Sequence, residues 1–164
     1  MYRRRVRAAG GVAVLAALAG LLTGCGSDAF ERCVPEAAET AGAAQLAGTF
    51  DGELEAKGVR LTLALTPGTA HGGSFTVENW PTGGSSFHAH LGKTFSGSGT
   101  WVVDPAGHGR DRTTLLMDFS EPEGIMRGDT LDRLSIGIDA KRTFVYDDPD
   151  PDVCPDFRLR LRTG

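Results

Sequence analysis

From Gly48 onward, apolar residues recur at every second position in short runs separated by turn residues. Leu61, Leu63 and Leu65 alternate with Thr62, Ala64 and Thr66; Phe75 and Val77 with Thr76 and Glu78; Leu134, Ile136 and Ile138 with Ser135, Gly137 and Asp139. A period of two is the spacing of a strand with one buried and one wet face. The final run is the clearest, with Phe157, Leu159 and Leu161 set against Arg158, Arg160 and Arg162. Thr49 to Leu54, Gly99 to Val103, Thr113 to Phe119 and Thr143 to Tyr146 complete a set of eight strands. Lys57-Gly58, Pro67-Gly68, Pro105-Ala106-Gly107, Arg127-Gly128-Asp129 and Asp147-Asp148-Pro149-Asp150 supply tight turns between them, which makes neighbours antiparallel. The expected fold is all-β: an eight-stranded up-and-down barrel or meander that buries its edges and either fills its interior or holds one small ligand. Its expected core is Leu61, Leu63, Leu65, Phe75, Val77, Trp101, Leu115, Met117, Leu134, Ile136, Ile138, Phe157 and Leu159. The 23 Gly and 8 Pro are spread along the chain, as many short strands require, and 164 residues suffice for one domain.

The first 24 residues read differently. Arg3, Arg4, Arg5 and Arg7 precede an apolar run from Val12 to Leu22 and small residues around Gly24, the layout of a secretory signal. The run is too short to span a bilayer, which takes about 20 apolar residues. Leu22-Thr23-Gly24-Cys25 resembles the lipobox of bacterial lipoproteins. That resemblance implies cleavage before Cys25 and a diacylglycerol on its sulfur; two acyl chains anchor stably where one is marginal. The expected location is therefore the outer face of the cell membrane, with residues 25–47 as tether and short helix and 48–164 as barrel. Removing the four leader arginines leaves 13 basic against 21 acidic residues, a formal charge of −8. Such a body repels phosphate backbones, so no nucleic-acid partner is expected.

Lipidation of Cys25 leaves two cysteines, Cys33 and Cys154, in an oxidising compartment, where they are expected to form a disulfide. Between the tether and the barrel, Pro35 to Gln45 is rich in Ala and Glu and predicts a weak helix, with Pro35 in its first turn. It lacks a continuous apolar stripe, so its order depends on Cys33 and on packing against the barrel.

The Gly48-Thr49-Phe50 opening and antiparallel meander are similar to those of lipocalins and streptavidin-like barrels. Together with the lipobox, Ser98-Gly99-Thr100-Trp101, the Leu115 to Phe119 strand and the Asp-Pro-Asp turn before the last strand, they resemble small lipoproteins of high-GC Gram-positive bacteria with no established activity. The resemblance implies an anchored barrel and brings no catalytic residues.

Each chemistry-bearing motif has a plain alternative. His88 and His90 share one side of an extended chain, a spacing compatible with zinc or copper, or are polar loop residues. Asp148, Asp150 and Asp152 concentrate oxygen ligands of the kind calcium takes, or form a solvated acidic hairpin pinned by Cys154. The Arg158, Arg160 and Arg162 row suits an anionic glycan or head group, or is the wet side of a strand. The stretch from Asn79 to Ser98, with Trp80, Phe87 and His88, is long enough for a lid over a barrel mouth, or is a disordered surface loop. Trp101 belongs to the core or lines a ligand cavity. Asp118, Glu121 and Glu123 form a carboxylate cluster, and Gly83-Gly84-Ser85-Ser86 is not a nucleophile elbow. No cofactor is expected. These features point to a non-catalytic binding or interaction module of the cell envelope, whose partner is an envelope protein, a glycan or a small apolar ligand. The alternatives are a lipocalin-like carrier and, further off, an envelope hydrolase.

Overall fold

The computed structural model describes residues 33–69, 71–83, 90–107, 112–148, 150 and 153–163. A single helix turn, α1 (Ala43–Leu46), leads into β1 (Gly48–Leu54), β2 (Arg60–Leu65), β3 (Gly72–Pro81), β4 (Thr94–Asp104), β5 (Thr114–Glu121), β6 (Arg133–Ile138), β7 (Thr143–Tyr146) and β8 (Phe157–Leu161). Each strand pairs antiparallel with the next, and β1 pairs with β8 to close the barrel. All eight strands expected from the alternation are present, and full closure leaves no sheet edge exposed along the ring.

The interior is filled. Phe50, Leu61, Phe75, Trp80, Trp101, Leu115, Leu134, Ile136 and Leu159 are buried in one cluster. Gly97 and Gly99 on β4 make room for its rings: a Cβ on Gly99 would stand 2.9 Å from Phe75 Cε1, and one on Gly97 3.0 Å from Phe95 Cε2. At the end where β3 finishes, Phe119 meets Phe75 edge-on with centroids 4.9 Å apart and Phe95 at 5.5 Å, while Trp80 meets Phe157 at 5.5 Å. At the other end α1 inserts Leu46 and Ala43 into the same cluster.

Three expected core residues are less buried. Leu65 is 44% exposed at the last position of β2, while Ile138 and Phe157 are partly covered at strand ends. Trp80 is the opposite case. Its alternation with Phe75 and Val77 would turn it outward, but the β3–β4 register shifts between Val77 and Trp80. Asn79 adopts φ 55 at this bulge and donates from Nδ2 to Gly58 O at 2.9 Å. Asn tolerates the left-handed region better than most residues, and the bulge moves the next side chain to the other face. Trp80 thus points into the core and donates from Nε1 to Leu131 O at 3.2 Å.

The expected helix over Pro35 to Gln45 is a correction. Only Ala43–Leu46 is helical, and the residues before it run extended across the barrel wall. Ala37 bridges Gly137, Ala38 N–H donates to Ile136 O at 2.8 Å, and Thr113 N–H donates to Ala38 O at 3.0 Å. The cause is an unfilled ladder. β5 and β6 pair only through Thr114–Ser135, Leu115–Leu134 and Leu116–Arg133, so the end of β6 needs another partner. Gly137 permits the approach, since a Cβ there would lie 2.6 Å from Pro35 O.

Candidate functional site

The strap carries Val34 onto the outer face of β7, where it packs with Phe144 and Tyr146. It also brings Cys33 to disulfide distance of Cys154, with Cα atoms 5.8 Å apart across 121 residues of sequence. Burial, then the neighbouring Asp148 carboxylate, pushes the Tyr146 hydroxyl up to about 12, partly offset by Arg112.

Beside this junction, Glu55, Asp147, Asp150, Val153, Asp156 and Phe157 line a surface cleft of about 520 Å³. Burial and the adjacent Asp148 hold the Asp147 carboxyl above the ordinary aspartate range. Part of the acidic hairpin, including Asp147, Asp148 and Asp150, falls among the described residues. Asp148 is largely buried and accepts from Arg112 Nη1 at 2.9 Å, Asp150 is exposed, and Asp152 lies outside the described residues. His90 is exposed and His88, like Phe87, lies outside the described residues. Among the described residues no group of three or more His, Cys, Asp or Glu is placed to hold a metal ion.

The arginine row is drawn into ion pairs along the β1–β8 seam. Arg158 Nε donates to Glu53 Oε2 at 3.0 Å, and Arg162 grips Asp51 through two nitrogens. Arg60 then reaches Glu78 Oε2 at 3.0 Å. The Arg162 hydrogen bonds hold the Asp51 carboxyl below the usual range. Arg160 instead lies over the Phe144 ring, 5.9 Å from its centroid. These charges neutralise each other more than they face an anion.

Trp80 sits in the core rather than in a covering loop, because β3 runs to Pro81 and β4 starts at Thr94 within the stretch expected to be loop. Trp101 is likewise buried, its Nε1 donating to Ser74 O at 3.0 Å and Ala64 O at 3.2 Å. Asp118 and Glu121 are exposed on β5, where Ser98 Oγ donates to Glu121 Oε2 at 3.3 Å, and Glu123 is exposed in the following turn. Cys25 and the leader lie outside the described residues; among those described, no helix is long and apolar enough to cross a membrane. The chain matches no protein-family model, no curated protein and no solved structure.

Proposed function

We propose that the protein is an extracytoplasmic lipoprotein, held on the outer face of the membrane through Cys25, whose barrel is a non-catalytic binding module that works through its outer surface. The anchor rests on Leu22-Thr23-Gly24-Cys25 at the end of a basic and then apolar leader. The Cys33–Cys154 pair, at bonding distance, suits the oxidising side of a membrane. The observation that carries outer-surface binding is the packed interior, closed by Trp80, Phe119 and Phe157 at one end and by Leu46 at the other. A carrier of small apolar ligands needs that volume free.

Mass spectrometry of the membrane-extracted protein tests the anchor. The N-terminal peptide is expected to begin at Cys25 with a diacylglyceryl thioether, and the Cys33 and Cys154 peptides to run as one disulfide-linked species. An unmodified N-terminus downstream of residue 25 contradicts the anchor, and alkylation of both thiols in the native protein contradicts the bridge.

A further inference from the structure

The strap is fastened at both ends by different means. Where it meets α1, Ala38 N–H donates to Ile136 O at 2.8 Å, Thr113 N–H donates to Ala38 O at 3.0 Å, and Thr113 Oγ1 donates to Glu39 O at 2.6 Å. At its other end Val34 packs on Phe144 and Tyr146, and Cys33 is bridged to Cys154. A few hydrogen bonds on an edge segment are a modest net hold in water, so the bridge decides whether the strap stays down. The barrel does not need the strap to close, because every strand pairs with the next and β1 with β8.

The two cysteines are unequally covered. Cys33 is half-buried, whereas Cys154 is exposed and lines the cleft that also carries Glu55, Asp147, Asp150 and Asp156. A sulfur open to solvent is the one that an attacking thiolate reaches. The cleft also sets a condition on the attacker, since it presents four carboxylates and no cation among its described lining residues. An anionic thiol is repelled there, and one that brings positive charge beside its sulfur is drawn in.

We infer that Cys33–Cys154 is a latch, opened by a dithiol reductant that carries positive charge around its reactive sulfur, and that opening it lifts the strap from a barrel that stays folded. One thiolate of the reductant attacks Cys154 Sγ, the sulfur–sulfur bond breaks, and the electron pair leaves on Cys33 Sγ, which takes up a proton. The second thiol of the reductant loses its proton and displaces Cys154, which is protonated in turn; the reductant departs as a disulfide, and the chain has gained two electrons and two protons. Lifting the strap uncovers Phe144 and Tyr146, with Arg142 and Arg160 at 6.0 and 5.9 Å from the Phe144 centroid, and frees Ile136 O and Thr113 N–H for another partner. Under the anchoring reading it also lengthens the tether. The first fixed residue moves from Cys33 to Ala43 at the start of α1, and the extended span from Cys25 grows from about 28 Å to about 63 Å.

The test is reduction of the native protein, in zwitterionic micelles if it carries lipid, by excess cysteamine and by excess 2-mercaptoethanesulfonate at equal thiolate concentration. Each rate, read by alkylation and mass spectrometry of the Cys33 and Cys154 peptides, is divided by the rate of the same thiol on hydroxyethyl disulfide. Cysteamine is expected to be about fivefold faster at low ionic strength, with the ratio falling towards one in about 1 M salt and in Asp150→Asn with Asp156→Asn. In the reduced protein, hydrogen exchange at the Ala38 and Thr113 amides is expected to quicken about tenfold or more, while the Phe75 and Val77 amides of β3 stay within about twofold of the bridged protein. Equal rates for the two thiols, reduction that requires denaturant, undiminished protection of Ala38 and Thr113 after reduction, or loss of protection throughout β3 overturns the latch. The latch rests on the bridge proposed above. Free thiols in the untreated protein remove both, whereas a bridge that is present but fails these tests removes the latch alone; an N-terminus without lipid removes only the change in reach.

Discussion

The wall built from β2, β3 and β4 and the wall built from β6 and β7 enclose the same core but are held in different ways. On the first, pairing runs unbroken from Arg60–Glu78 to Leu65–Gly73 and, across β3–β4, from Gly72–Val102 to Val77–Gly97. On the second, β6 meets β5 at only three positions and β7 meets β8 only through Phe144–Arg160, Val145–Leu159 and Tyr146–Arg158. A long ladder satisfies its own backbone groups and leaves its outer face free. A short one borrows a segment from elsewhere in the chain, and its outer face is buried in return. Here the borrowed segment is the strap from Val34 to Ala38, tied down by Cys33.

The strongest way to break this comparison is through the shared core. Trp101 bonds to the backbones of β2 and β3, and Trp101→Ala is expected to cost about 3–5 kcal/mol in urea unfolding. A loss under about 1 kcal/mol means a hollow interior on the long-ladder side. Next comes the Cys33–Cys154 pair, whose joint replacement by Ser is expected to cost about 2–4 kcal/mol. Hydrogen exchange sharpens the reading: the Ala38 and Thr113 amides should lose protection first, while those of β3 keep theirs.

Smaller effects separate the walls position by position. Gly137→Val, forced against Pro35 O, is expected to cost about 1–3 kcal/mol and to lift the strap. Thr76→Val, on the uncovered wall, should stay within about 0.5 kcal/mol of the parent. The last effect is spectroscopic. Tyr146 is the one tyrosine downstream of the leader, so absorbance near 295 nm reports it alone once the leader is removed. Its ionisation is expected at about 12 in the folded protein and lower once release of the strap exposes the ring. Because the folded state holds this proton more tightly, the contribution of Tyr146 to stability is intact below pH 10.0 and is lost as pH rises towards 12.

Most of the barrel was legible because its strands alternate apolar and polar residues, and alternation encodes both the element and its buried face. The failures have local causes. Trp80 falls out of phase because Asn79 inserts a bulge, and nothing in the pattern of Phe75 and Val77 announces it. Leu65 keeps phase but reaches the rim, where few neighbours cover it. The strap reads as a helix because local Ala and Glu propensity is visible in the sequence, whereas a gap in a ladder about 100 residues away is not. Among candidate site residues, the Cys33–Cys154 pair followed from parity. The acidic hairpin and the arginine row took their character from partners such as Arg112, Glu53 and Asp51, which only the closed ring brings near.

The central claim is that this barrel is filled and binds from outside. Titrating a Trp80→Phe protein with a fatty-acid quencher, while following Trp101 fluorescence, tests it most directly. The packed core predicts no saturable quenching up to the solubility limit of the probe; quenching that saturates near one probe per chain would contradict it and make the protein a carrier.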